Sequence, residues 1–278
     1  MEAEPAMRSG AVVALKPLRA AKTRLQGVPV AYRQHIAWCL ASDTIGALAA
    51  ALDRVVVVSN EPSLATRLHR WGTRVRVVPE GPSLGMNAAL AAGARQLADG
   101  GMSMVVACVG DLPCLRPVTV RHLVAAAAHH PRSFVADTSG TGSTMLFARG
   151  GSLDPRFQGP SAAAHRGSGA TALTESDVGP LADARRDVDT VADLLDAERI
   201  GLGEATAALF DQRTHRMGRF APVVIDDPAG EDELVVRTPD GVPYRVEARM
   251  LADQHPHMAP GQRLHAALVD DRVLSIWL

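Results

Sequence analysis

The stretch Met104-Val-Val-Ala-Cys-Val-Gly-Asp-Leu-Pro113 constrains the fold more than any other part of the chain. Six apolar residues run without alternation from Met104 to Val109. A strand that is apolar on both faces must be covered on both, which is the condition of a parallel sheet between helices. Two further runs have the same character, Ala11-Val-Val-Ala-Leu15 and Arg54-Val-Val-Val-Val-Ser59, and Arg74-Val-Arg-Val-Val78 is a shorter third. The segments between them carry helical patterns: Val30 to Leu52, Pro62 to near Gly72, about Asn87 to Asp99, and about Pro117 to His129 with the proline at its first turn. Strands alternating with helices of this length predict a doubly wound α/β sheet.

After His130 the pattern changes. Arg132–Ala136 and Ser143–Ala148 read as strands on either side of the Gly-rich Ser139-Gly-Thr-Gly-Ser143. Thr190-Val-Ala-Asp193 is a capping box that should open a helix, and another is expected from Gly203 to about His215. From Phe220 the composition shifts once more. Leu234–Arg237, Tyr244–Met250, Leu264–Val269 and Arg272–Trp277 alternate apolar and polar residues, separated by turn pairs. This predicts a small antiparallel barrel of about 60 residues. The expected organisation is one α/β domain, residues 1–215, and a small all-β domain, residues 216–278. A unit as small as the second is marginal alone and should pack on the main domain or on another subunit, which leaves a homo-oligomer open.

The chain has 278 residues, a net charge of −1 and no long run of one sign, so a nucleic-acid partner gains no support. No apolar stretch approaches the roughly 20 residues that span a bilayer, and the first residues lack the features of a signal peptide. Cys39 and Cys108 lie in apolar patterns and read as buried thiols. With only three cysteines there is no disulfide framework, and a reducing cytoplasm is expected.

The chemistry is expected at the carboxyl ends of the parallel strands. The first strand is followed by Lys16-Pro-Leu-Arg-Ala-Ala-Lys-Thr-Arg-Leu25. Lys16, Lys22 and Arg24 can face an anionic ligand over the sheet, since phosphate needs cations there, or can be ordinary solvated charge. The loop is neither a dinucleotide-binding fingerprint nor a Walker A loop. Asp111 follows the fourth strand, and Asp187-Val-Asp189 follows another predicted extended segment, whose alternation would turn both carboxylates to one side. Mg²⁺ is held by one or two carboxylates with phosphates and water, and Asp111 with Asp187 or Asp189 meets that count. Each aspartate alone could simply cap a turn or helix. Gly140-Thr-Gly-Ser-Thr144 is either an anion nest or a hairpin turn. Ser161, after Gly159-Pro160, could open a helix as an anion site or as its N-cap. His165 has no second histidine suitably spaced for a metal.

In this order, these pieces resemble one family, the guanylyltransferases of deazaflavin coenzyme F-420 biosynthesis. The residues that carry the resemblance are Lys16 through Leu25, Gly110-Asp-Leu-Pro113, Phe134-Val-Ala-Asp137, Gly140-Thr-Gly-Ser143, Pro155-Arg-Phe157 with Gly159, Ser161 and His165, and Asp187-Val-Asp-Thr190 with Ala192-Asp-Leu194. It covers about residues 10 to 210. It implies a nucleotide-diphospho-sugar transferase-like (GT-A-type, Rossmann-like) α/β fold. It also implies Mg²⁺-dependent transfer of GMP from GTP to phosphoenolpyruvate or to 2-phospho-L-lactate. By resemblance Asp111 and Asp187 are the metal ligands, with Asp189 the near alternative. Ser143, Gly159 and Ser161 are the acceptor contacts, and Asn87 is placed to read the base. Ser143 stands where the family often has threonine, which keeps the hydroxyl. The family's Phe-Gly-Pro is here Phe157-Gln-Gly-Pro160, so Gly159 or Gln158 takes the glycine's place. The C-terminal strands lie outside the family pattern. Rival readings are a molybdopterin- or sugar-phosphate nucleotidyltransferase, whose Gly-rich first loop is absent here, and a non-catalytic nucleotide-binding regulator.

Overall fold

A computed structural model of the chain describes residues 7–22, 25, 30–81, 85–209, 219–228, 233–247, 260–269 and 272–277. Its larger unit is a seven-stranded sheet built from β1 (Ser9–Ala14), β2 (Arg54–Val58), β3 (Val75–Val78), β4 (Met104–Cys108), β5 (Arg132–Ala136), β6 (Ser143–Arg149) and β7 (Thr171–Ala172), in the order β3-β2-β1-β4-β6-β5-β7. The helices are α1 (Val30–Ala51), α2 (Leu64–Leu68), α3 (Met86–Asp99), α4 (Pro117–Ala127), α5 (Ser161–Gly167), α6 (Glu175–Val178), α7 (Ala182–Arg185), α8 (Val191–Ile200) and α9 (Glu204–Ala207).

The first four strands are parallel, as their unalternating apolar runs require. Successive residues of each strand go to opposite faces. Ala11, Val13, Met104, Val106 and Cys108 join Ile45 and Leu48 of α1 and Val120 and Leu123 of α4 in one cluster. Val12, Val105 and Ala107 join Leu90, Ala94 and Leu97 of α3 in the other. Gly93 lets α3 approach closely, because a Cβ there would lie 2.4 Å from Val12 Cγ2. A third, smaller cluster holds Leu25, Ile36, Leu40, Cys114, Val188, Leu194 and Ala197, and so fastens the loop after β1 and the segment before α8 to the same helices.

The sheet is mixed where the sequence pattern changes: β6 is inserted antiparallel between β4 and β5, so the predicted pair 132–136 and 143–148 is a hairpin. Three expectations need adjustment. The helix after Pro62 is a short α2 followed by a 3-10 segment, His69–Arg74. The helix expected from Gly203 covers Glu204–Ala207, and its remainder to His215 lies largely outside the described residues. Asp187–Asp189 lies in an irregular connection from α7 to α8 and not in a strand.

The C-terminal residues form a separate antiparallel sheet of β8 (Arg219–Pro228), β9 (Glu233–Arg237), β10 (Pro243–Glu247), β11 (Arg263–Val269) and β12 (Arg272–Trp277), in the order β10-β9-β8-β11-β12. Alternate residues such as Val223, Ile225, Val236, Val246, Leu264 and Ile276 make its own core. Its two edge strands approach one another, as in a barrel. Four of the five strands match the sequence expectation, and β8 is the addition.

Candidate active site

The loop after β1 begins with an exposed Lys16 and a single 3-10 turn, Leu18–Ala20, which buries Leu18 and is held by Glu61 through the Leu18 N–H at 3.1 Å. The chain then enters the left-handed region at Lys22, with φ of 55°, and Leu25 seals the loop by burial. Such a backbone conformation is uncommon for a residue with a side chain. It accompanies a specific placement of Lys22. Its ammonium donates to the Asp111 carboxylate, to the Val188 carbonyl and, at 3.2 Å, to Asp189 Oδ1. Burial alone would lower the ammonium's pKa. The Asp111 charge and hydrogen bond, joined by Asp189, outweigh it and hold the pKa above its ordinary value. Arg24, the third cation expected here, lies outside the described residues.

Asp111 owes its place to the turn after β4. A Cβ on Gly110 would lie 2.2 Å from Leu15 Cδ2, so glycine lets this turn pack against the end of β1 without displacing the Leu15 side chain. The buried Thr44 of α1 accepts from the Leu112 N–H at 2.9 Å and donates to the Leu40 carbonyl. The Asp111 carbonyl in turn accepts from Val188 N–H at 3.1 Å, which ties the two acidic segments together. Val188 is fully buried, with Asp187 and Asp189 on either side of it only partly so. Thus the alternation expected from a strand survives in a segment that has no strand partner. The helix-capping alternative for Asp189 is not what is seen. Thr190 is the N-cap of α8, with Asp193 closing the capping box. Asp187 is the electrostatically loaded member. Burial first, then the Asp111, Asp189 and Asp137 carboxylates, push its pKa up to about 7.

Because β6 runs against β4, its first residue, Ser143, lies at the edge where β4 ends. Val109 N–H donates to the Thr144 carbonyl and Cys108 pairs with Met145. Ser143 is buried, and its Oγ lies 3.0 Å from His165 Nδ1. The Gly-rich turn before it is not an open anion nest. Its N–H groups at Thr141 and Gly142 donate to the Asp137 carboxylate, at 3.1 and 2.9 Å, so the hairpin-turn reading holds.

At Ser161, which opens α5, it is the N-cap alternative that does not hold. The N-cap position of α5 is Pro160, Ser161 lies within the first turn, and the first N–H groups donate to the Gly159 and Thr141 carbonyls. With those two N–H groups occupied, what Ser161 can offer a ligand is its hydroxyl. Gly159 and Gln158 both adopt positive φ, 56° and 106°, the region that favours glycine, so the backbone does not choose between them. Asn87 is engaged with protein backbone. Its amide donates to the Phe157 carbonyl and accepts from the Phe157 N–H, both at 2.8 Å, so it ties the 154–159 loop to α3. The structure therefore brings Lys22, Asp111, Asp187 and Asp189 into one cluster. Ser143, Gly159 and Ser161 belong to the adjoining hairpin and α5 region, and Lys16 contributes no described contact to either group.

Among the described residues, no three His, Cys, Asp or Glu side chains form a ready-made metal cage. The donors nevertheless suit Mg²⁺, which takes hard oxygens and needs few of them from protein. Asp111 and Asp189 share the Lys22 ammonium and Asp187 lies close enough to feel both carboxylates, so among the described contacts carboxylates outnumber the cation. The raised pKa of Asp187 is the physical sign of that excess.

Residues 26–184 match the family model of the MobA-like NTP transferase domain. A protein of Salinispora arenicola named phosphoenolpyruvate guanylyltransferase is 41% identical over 214 residues, covering 75% of this chain and 96% of the relative. Proteins of the same name from Mycobacterium leprae and Geodermatophilus obscurus are 39% and 42% identical, each over 71% of this chain and over 91% and 92% of their own.

Proposed function

The chain belongs to the phosphoenolpyruvate guanylyltransferase family, and from that premise we propose that it transfers GMP from GTP to phosphoenolpyruvate, with Mg²⁺, in coenzyme F-420 biosynthesis. The observation that carries this reading is the cluster of three carboxylates and one ammonium at the carboxyl end of β1 and β4. Its net deficit of positive charge matches a divalent cation carrying a nucleotide.

A phosphate oxygen of the acceptor attacks the α-phosphorus of GTP. A new P–O bond forms, the bond from the α-phosphorus to the bridging oxygen of the β-phosphate breaks, and pyrophosphate leaves with the electron pair. The products are enolpyruvyl-diphospho-guanosine and pyrophosphate. Such a displacement needs positioning and charge neutralisation more than covalent help. Asp111, with Asp187 or Asp189, would hold Mg²⁺, which supplies positive charge to the phosphates. Lys22, with Arg24 and Lys16 of the same loop, neutralises charge on the leaving pyrophosphate. To do so Lys22 exchanges a carboxylate for a phosphate. Ser143, Gly159 and Ser161 receive the acceptor.

The reading also takes residues 1–215 as the catalytic domain and 216–278 as an appended domain, in a cytoplasmic protein without nucleic-acid or membrane partners. The three buried, unpaired cysteines support the reducing compartment. The test is direct. Purified protein is incubated with GTP, Mg²⁺ and either phosphoenolpyruvate or 2-phospho-L-lactate, and the product is identified by mass. Pyrophosphate release with phosphoenolpyruvate is expected. Release with 2-phospho-L-lactate alone would change the acceptor, and tight nucleotide binding without turnover would make the protein a regulator.

A further inference from the structure

One buried histidine beside the acceptor region has no part in the reaction as described. His165 of α5 is completely buried. Its ring lies between Phe134 and Phe157, at centroid distances of 5.8 and 5.0 Å. Its Nε2 is 2.9 Å from the backbone nitrogen of Arg156. A backbone N–H can only donate, so Nε2 presents its lone pair there. The proton of the neutral ring must then sit on Nδ1. The Nδ1–H faces Ser143 Oγ at 3.0 Å, so the serine oxygen accepts. Ser143 keeps its own O–H proton to donate elsewhere.

That polarity matters to an anion. With the opposite tautomer, Ser143 would spend its hydrogen on the imidazole and offer only lone pairs to a ligand. The surroundings keep the ring neutral. Burial, then the Arg132 guanidinium, push its pKa down to about 4. Phe157, one of the two flanking rings, is itself fixed by the double hydrogen bond from Asn87. A chain of contacts therefore runs from α3 through the 154–159 loop and the imidazole to one hydroxyl.

We propose that His165 is a positioning residue that fixes the Ser143 hydroxyl as a hydrogen-bond donor to the anionic acceptor, a small phosphorylated carboxylate. This rests on the guanylyltransferase reading, in which Ser143 meets that acceptor. His165 touches no substrate and acts through Ser143.

Two measurements test it. Nitrogen chemical shifts of the ¹⁵N-labelled imidazole at neutral pH should show the Nδ1–H tautomer, and an Nε2–H ring would overturn the proposal without any assay of activity. Steady-state kinetics then compare His165→Gln with His165→Asn. Asparagine keeps an N–H where Nδ1 stood, and glutamine does not. His165→Gln should raise the KM for the acceptor by about tenfold or more, the scale of one hydrogen bond to a charged group, with the KM for GTP little changed. His165→Asn should restore most of that loss. In a Ser143→Ala background, His165→Gln should have no further effect. An equal loss in both substitutions, an undiminished effect in the Ser143→Ala background, or no effect at all would each refute it. If the unaltered protein shows no acceptor-dependent turnover, the functional reading fails instead, and the tautomer measurement still stands by itself.

Discussion

Replacing Lys22 with methionine removes the one described cation at the centre of the acidic cluster while keeping an unbranched stem of similar reach. In the folded protein that ammonium serves Asp111, Asp189 and the Val188 carbonyl at once. Without it, Asp111 and Asp189 would lose the ammonium they share, beside the Asp187 carboxylate. Breaking a fully buried ion pair costs roughly 3–5 kcal/mol, and an exposed pair is worth less than about 1 kcal/mol. The carboxylates of Asp111 and Asp189 are 21% and 45% exposed, so the cost should fall between these limits, about 2 kcal/mol. In a domain of this size, that corresponds to a fall in Tm of roughly 4–8 °C. A divalent cation should reverse it, since a ligand at a hundred times its Kd contributes about 2.7 kcal/mol. The unaltered protein already has an ammonium there and should gain less. Calorimetric melting of both proteins, in chelator and in millimolar Mg²⁺, measures all four states. An unchanged Tm for Lys22→Met in chelator, or a Mg²⁺-dependent rise no larger than that of the unaltered protein, would refute the account of the site as an anionic cluster awaiting a cation.

Asp111→Asn should leave the fold intact and lower kcat by at least about a hundredfold, the scale of losing one preorganised electrostatic group, as read from pyrophosphate release at saturating Mg²⁺. Ser161→Ala should raise the acceptor KM while leaving that of GTP nearly unchanged, and an equal rise in both would indicate general damage. Gln158→Gly should stabilise the protein by about 1 kcal/mol in denaturant titration. Gln158 is exposed and strained at φ of 106°, and glycine relieves that strain at a smaller cost in unfolded-chain entropy. His165 should make stability pH-dependent. Its pKa is about 4 folded and near 6.5 unfolded. Below pH 6.5 the unfolded chain therefore binds the extra proton, and roughly 2–3 kcal/mol is lost as pH falls toward 4. Asp187, with its raised folded pKa, works in the opposite sense, losing stability as pH rises through about 7. The measurable quantity is thus the difference between the unaltered protein and His165→Asn, which should shrink from pH 7 to pH 4.5.

Much of this could be read from residues alone, for a physical reason. Burial on both faces leaves unbroken apolar runs at 11–15, 55–58 and 104–109, and a one-sided helix leaves its period in 86–99 and 117–127. Strand direction leaves no such trace, because an antiparallel insert buried on both faces, such as β6, reads like its parallel neighbours. β8 was obscured by Pro222, which sits in a strand with partners on both sides. It is tolerated because β9 pairs only from residue 224 onward, so at 222 one side is free. In the site, Lys22, Asp111 and the Asp187–Asp189 pair announced themselves by charge at strand ends. Which charges meet, and that Asp137 fills the Gly-rich turn, depends on contacts across 5 to 167 positions of sequence. Thr44 and the Val188 carbonyl carry no sequence signal at all, since one looks like any helical threonine and the other is backbone.

The reversed direction of β6 has an evolutionary reading. The groups proposed to handle nucleotide chemistry are rooted in the loops after β1 and β4 and in the segment before α8. Those expected to handle the acceptor are rooted in the β5–β6 hairpin and α5. The two sets share an edge of the sheet, along which β4 pairs with β6. Loop 154–160 and α5 make none of the described contacts of Lys22, Asp111, Asp187 and Asp189, so change there should alter what is accepted with the least disturbance to how a nucleotide is activated. Variation confined to those segments, with Lys22, Asp111, Asp187 and Asp189 held constant, is the part of sequence space in which new acceptors should be sought.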